Sequence, residues 1–149
     1  MFSMLVGSIM VAIGAGIADL MLKNIVLSGT SRDSQRAFYA ADGGNECTLF
    51  WDIQHEGFAD TVFATSSASA VPASGVICNG QDIAQLWSVS AGPTSATTIF
   101  SLTLSGEVCA TVAVEKTNSG ADTKIESRGY NTCTVGEGRR LERAVRVRY

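Results

Sequence analysis

Four cysteines, one histidine and a terminal run of arginines are the residues of this 149-residue chain whose types could do chemistry. Cys47, Cys78, Cys109 and Cys133 are widely spaced and never stand as CxxC, and His55 alone cannot complete a zinc set with them. Disulfides are the better use of four such thiols, with four buried free thiols as the alternative. Asp52-x-x-His55-Glu56 offers ligand atoms, but an HExxH motif lacks its second histidine because position 59 is alanine. A Ser-His-acid set could be drawn from His55, yet there is no G-x-S-x-G to present the serine. Neither a P-loop nor a G-x-G-x-x-G run is present, so the sequence predicts no enzyme, no metal and no cofactor.

The arginines are Arg139, Arg140, Arg143, Arg146 and Arg148, five of the eleven basic residues. A DNA-contacting strand is one use of such a run. The use favoured here is a charged strand that blocks edge-to-edge sheet pairing. Net charge is −3 with a pI near 5.0, which argues against an overall electrostatic grip on nucleic acid. The charge is unevenly laid out: residues 37–115 hold eight acids and no Lys or Arg, while residues 116–149 hold eight bases against four acids. Opposite ends of this kind suit contact between stacked copies, or within one fold.

These residues must be positioned by a chain with a mean hydropathy of +0.19 and only 17% charged residues. Part of the charge deficit is local. Met1 to Ala18 carries no charged residue, no histidine and no proline, and as a helix it measures about 27 Å, close to the ~30 Å of a bilayer core. No basic residue precedes Lys23 and no A-x-A site is clear, so the segment is read as retained rather than as a cleaved signal. Gly7, Ala12, Gly14, Gly16 and Ala18 give small-xxx-small spacings that let helices approach closely in an apolar medium. Asp19 and Lys23 stand at i, i+4 in the favourable order, so the helix should run on. Proline is absent until Pro72, and the spacing predicts one helix over 1–52. Its membrane or core segment is about 1–27, Phe38, Ala41 and Leu49 form its apolar stripe, and Gly43-Gly44 is its point of weakness.

Residues 53–97 are rich in Ser, Thr, Ala and Gly, with Pro72 and Pro93 as breakers, and read as a covered connecting loop with a short helical turn at Asp82 to Trp87. From Thr98 the period becomes two. Strands are predicted over about 98–104, 108–115, 123–130 and 139–149, a four-stranded antiparallel meander with one apolar face. The long helix would cover that face, giving an α+β fold. Four cysteines allow three pairings. A hairpin turning near Gly120-Ala121 sets Cys109 opposite roughly 132–133, which favours Cys109 with Cys133 and Cys47 with Cys78, and hence an oxidising, extracytoplasmic location.

A long helix, apolar first and amphipathic second, then a variable loop and a four-stranded sheet with C-terminal disulfide bonding, resembles the type IV pilin and pseudopilin architecture. Ser34 to Asp52, SQRAFYAADGGNECTLFWD, is similar to the helix segment in which an Ala-Ala-acid-x-Gly run precedes the globular domain of pilin-like proteins. IESRGYNTC and RRLERAVRVRY resemble the C-terminal strands of a bacterial pilin-like group. Pilins carry a basic leader cut after glycine and a glutamate at the fifth mature position. This chain opens Met1-Phe2-Ser3-Met4-Leu5, so Leu5 takes the glutamate position if Met1 is the mature first residue.

The resemblance implies a structural subunit of an extracellular filament, held in the inner membrane before assembly and polymerised with itself by a pilus assembly machinery. Its filaments would serve roles such as cell adhesion. The alternative expectation is a single-pass membrane-anchored binding module, or a minor pilin or pseudopilin, with an adhesive loop over 60–97.

Overall fold

The computed structural model describes residues 2–54, 58 and 61–149. A single helix, α1 (Phe2–Gln54), precedes seven strands: β1 (Ile77–Cys78), β2 (Gln81–Asp82), β3 (Ser88–Ala91), β4 (Ala96–Thr103), β5 (Cys109–Thr117), β6 (Asp122–Tyr130) and β7 (Glu142–Arg148). The fold is α+β. Strands β3 to β7 form one antiparallel sheet in chain order, and β1 pairs with β2 separately. Residues form two compact units, one up to Asp33 and one from Ser34 to Tyr149.

In the first unit the helix is bare. Every large apolar side chain from Phe2 to Leu27 is exposed. Two hydroxyls in or beside the apolar stretch satisfy themselves on the helix backbone: Ser8 Oγ donates to the Leu5 carbonyl at 2.9 Å and Thr30 Oγ1 to that of Val26 at 3.0 Å. That is the arrangement a polar side chain needs where no water is available.

The second unit is built on a helix face of unexpected composition. The buried positions of α1 are Ala37, Ala40, Ala41, Gly44, Asn45, Thr48 and Asp52, recurring at three- and four-residue steps. Phe38, expected on the apolar stripe, is instead 47% exposed. The correction has a steric cause. Strand β6 brings Gly129 against the helix backbone, and a Cβ there would run into the Ala37 carbonyl oxygen and the Ala41 nitrogen. Only small side chains fit such an approach. Gly44 belongs to the same seam, since a Cβ at that position would stand 2.6 Å from Ser127 Oγ and 2.9 Å from Val112 Cγ2. The Gly43-Gly44 pair therefore does not break the helix; α1 runs through it.

The four expected strands appear as β4 to β7. Residues 53–97 hold more than a connection: β3 adds a fifth strand, pairing Ser88 with Ile99 through Ala91 with Ala96, and Ile83–Gln85 forms the short helical turn. Val62, Phe63, Val76, Cys78 and Ile83 from this region pack with Phe100, Leu102, Val112, Val114 and Ile125 as the main core. Asp82, the one charge between Thr61 and Gly106, is used to hold this region together at its surface, accepting from Gly75 N at 2.8 Å and Ala84 N at 3.1 Å. The Gly75 N–H first, with the other donors, holds its carboxyl below the usual range against the opposing effect of desolvation.

Both disulfides form as the favoured pairing has it, Cys47 with Cys78 and Cys109 with Cys133, at Cα separations of 6.0 and 5.3 Å. The register beneath the second is shifted from expectation. Cys109 lies opposite Tyr130 rather than 132–133, because the β5–β6 link turns between Thr117 and Asp122. Cys133 reaches back after the strand ends, its N–H bonding the Glu107 carbonyl at 2.9 Å. Replacing both Cys109 and Cys133 with serine is expected to lower stability by about 3 kcal/mol, the loop-closure contribution for a sequence separation of 24. Chemical denaturation of oxidised protein and variant checks it, and a loss below about 1 kcal/mol counts against the loop account.

Candidate assembly site

The small residues singled out for helix packing lie open. Ideal Cβ atoms built at Gly7, Gly14 and Gly16 meet nothing within 4 Å, and Ala12 and Ala18 are exposed. Asp19 and Lys23 form the expected pair at 3.3 Å, with side chains 69% and 74% exposed. The helix that carries them contains an 18-residue window of mean hydropathy 2.1, none of it buried, and is long and apolar enough to cross a membrane. A helix surface of this kind has groups to pack and no polar face to hydrate.

The terminal arginines are largely engaged within the fold. Arg146 and Arg128 both grip Glu126, at 2.6 and 2.7 Å, and Arg128 also reaches Glu142 at 3.5 Å. Those two guanidiniums hold the Glu126 carboxyl below its usual range. Arg143 donates to Ser34 Oγ at 2.9 Å, and Arg140 stacks over the Tyr130 ring at 3.8 Å. These side chains thus lie against neighbouring carboxylates, a hydroxyl and a ring around the β6–β7 pair.

A buried polar cluster, which the residue pattern did not single out, fastens the end of α1. Lys116 Nζ lies 2.7 and 2.9 Å from the two oxygens of Asp52, with side chains only 7% and 2% exposed, and 3.3 Å from Thr123 Oγ1. The Tyr149 hydroxyl donates to the same Asp52 carboxylate. Burial chiefly, and then the bond to that carboxylate, push the Tyr149 phenol well above its ordinary range. The signal was in the alternation of β5, where Lys116 shares its face with Ala110, Val112 and Val114.

Of the Asp52-x-x-His55-Glu56 motif only Asp52 is among the described residues, and its carboxylate is occupied by Lys116 and Tyr149. His55, Glu56 and the start of the expected adhesive loop at Asp60 lie outside them. Among the described residues no group of three or more His, Cys, Asp and Glu could hold a metal ion. In comparisons with protein families, with characterised proteins and with solved structures, the chain matches none.

Proposed function

We propose that this chain is the structural subunit of a type IV pilus-like filament, held in the inner membrane by its N-terminal helix before assembly and packed helix against helix in an extracellular polymer afterwards. The observation that carries the reading is the bare apolar helix. Its side chains from Phe2 to Leu27 lack any cover in the single chain, and an apolar helix of this length is stable in lipid or among other apolar helices. Glycines that would each cost a lone helix about 1 kcal/mol become useful where backbones pack closely. Two disulfides suit a head exposed on the oxidising side of that membrane. The small-residue seam between α1 and the sheet, together with the two disulfides, gives a head that stays folded while the helix changes surroundings.

Gly14→Leu tests the reading. No atom of the chain lies within 4 Å of a Cβ there, so the head keeps its fold, while the close approach of neighbouring helices is blocked. Filament yield by electron microscopy of the surface fraction is expected to fall at least tenfold. Unchanged yield would count against helix packing through this face. Wild-type protein found only as solitary membrane-anchored chains would favour an anchored binding module instead.

A further inference from the structure

The buried cluster at the end of α1 holds an amine against a carboxyl carbon. Lys116 Nζ lies 2.7 Å from Oδ1 of Asp52 and 2.9 Å from Oδ2. A nitrogen that near both oxygens stands about 3 Å from the carbon between them, a separation typical of near-attack geometry. With the two side chains 7% and 2% exposed, water is kept from the contact. Oδ2 accepts from Lys116 and from the Tyr149 hydroxyl. The shorter Nζ–Oδ1 contact is not aligned as a hydrogen bond, and Oδ1 has no hydrogen bond to any described residue.

We propose that Lys116 and Asp52 condense in the folded chain to an intramolecular amide, an isopeptide bond. The step is a dehydration. One Nζ proton passes to Oδ1, and the amine lone pair so freed attacks Cγ. The carbonyl electron pair moves to Oδ2, where the Tyr149 O–H is already placed to bond the oxyanion. A second Nζ proton moves to Oδ1, with Thr123 Oγ1 at 3.3 Å from Nζ to relay it. The Cγ–Oδ1 bond then breaks, water leaves, and the pair on Oδ2 returns to remake the carbonyl. The third proton stays as the amide N–H. No oxidant, reductant or other reactant is consumed.

The product suits this site better than the ion pair does. Two charges that are costly to hold away from water give way to a neutral amide. Its carbonyl oxygen, Oδ2, keeps the Tyr149 hydroxyl, and its N–H has Thr123 Oγ1 as acceptor. The atom that leaves, Oδ1, is the one without a hydrogen bond. Bringing the reactants together and excluding water are the usual obstacles to such a condensation, and the fold supplies both. The Cys47–Cys78 bridge ties α1 to β1, outside the five-stranded sheet. The amide would tie the helix end to β5 within that sheet, between residues 64 positions apart. It involves only the interior of the second unit and needs no filament.

Mass spectrometry of the full chain tests the bond. After reduction of the disulfides, folded protein kept at neutral pH is expected to be one water lighter than its sequence. Trypsin should no longer cut after Lys116, and chymotrypsin should yield a branched peptide joining that lysine to Asp52. Lys116→Arg keeps the positive charge but not the nucleophile, and should retain the full sequence mass. Tyr149→Phe removes the oxyanion donor and should slow the loss of water at least tenfold. The ion pair belongs to the chain before condensation, so the mass also separates paired from linked molecules. Folded wild type that keeps its full mass and its tryptic site at Lys116 would overturn the bond. An equal loss of water in Lys116→Arg would place the dehydration elsewhere and overturn it as well. An unchanged rate in Tyr149→Phe would overturn the part assigned to the phenol.

Discussion

Replacing Gly129 with alanine is expected to lower the stability of the second unit by about 3 kcal/mol, and replacing it with valine to abolish its folding. Overpacking a close-packed interior costs roughly 1–3 kcal/mol and occasionally more, and this site is at the upper end because the obstructing atoms are backbone. A Cβ at Gly129 meets the Ala37 carbonyl oxygen and the Ala41 nitrogen of α1, with the Ala40 Cβ at 2.9 Å. Neither a helix backbone nor an alanine can rotate out of the way, so relief requires separating the helix from β6. Two other glycines calibrate the claim. Gly44→Ala presses on Ser127 Oγ and a Val112 methyl, atoms with rotamers to use, and should cost less. Gly43→Ala faces open space and should stabilise by up to about 1 kcal/mol through helix propensity. Thermal unfolding of the three variants in detergent, followed by near-ultraviolet circular dichroism, should rank them in that order. A Gly129→Ala melt within 2–3 °C of wild type would mean that the helix does not sit on the strand as described.

The same seam shows where the residue pattern was readable and where it was not. Periodicity of two located β4 to β7 because Phe100, Leu102, Val112, Val114 and Ile125 put their bulk on one face, and the absence of proline carried α1 to its end. The helix face was misjudged because hydrophobicity was taken as the mark of burial. Contact at backbone distance is made by Ala, Gly and Thr, and it leaves Phe38 and Phe50 outside. Gly129 in the middle of a strand was the available clue, since glycine weakens a strand unless another backbone comes close. Strand β3 was hidden for a different reason: Ser88-Val89-Ser90-Ala91 is exposed at every position, so no alternation marks it, and it is a strand only because β4 lies beside it. The cysteine pairing was legible despite a register two to three residues out, because Cys133 lies beyond the strand end, where the chain turns back to Glu107. The candidate assembly residues Gly7, Ala12, Gly14, Gly16 and Ala18 were legible as a composition.

The buried Lys116–Asp52 pair leads to the second large effect. Lys116→Ala is expected to cost about 3–5 kcal/mol, the range for removing one partner of a buried ion pair, because Asp52 would keep its charge away from water with the Tyr149 hydroxyl as its remaining partner in the cluster. The site is demanding even before mutation, since Asp52 lies in the last turn of α1, where the helix dipole opposes an anion. Lys116 offsets both penalties at once, and in doing so it ties the end of the helix to β5, to Thr123 of β6 and, through Asp52, to Tyr149. Removing both charges together should be far milder. Asp52→Leu with Lys116→Met keeps the volume, releases the desolvation cost of two ions, and is expected to fall within about 1 kcal/mol of wild type or above it. Tyr149→Phe should cost about 1.5–3 kcal/mol, as for a hydrogen bond to a charged acceptor. Denaturant unfolding of the two single variants, the double variant and wild type gives the coupling directly. A Lys116→Ala loss below 1 kcal/mol would show the pair to be hydrated. A double variant as damaged as Lys116→Ala would show that the geometry of the ion pair itself, and not merely the avoidance of a lone buried charge, holds the helix end on the sheet.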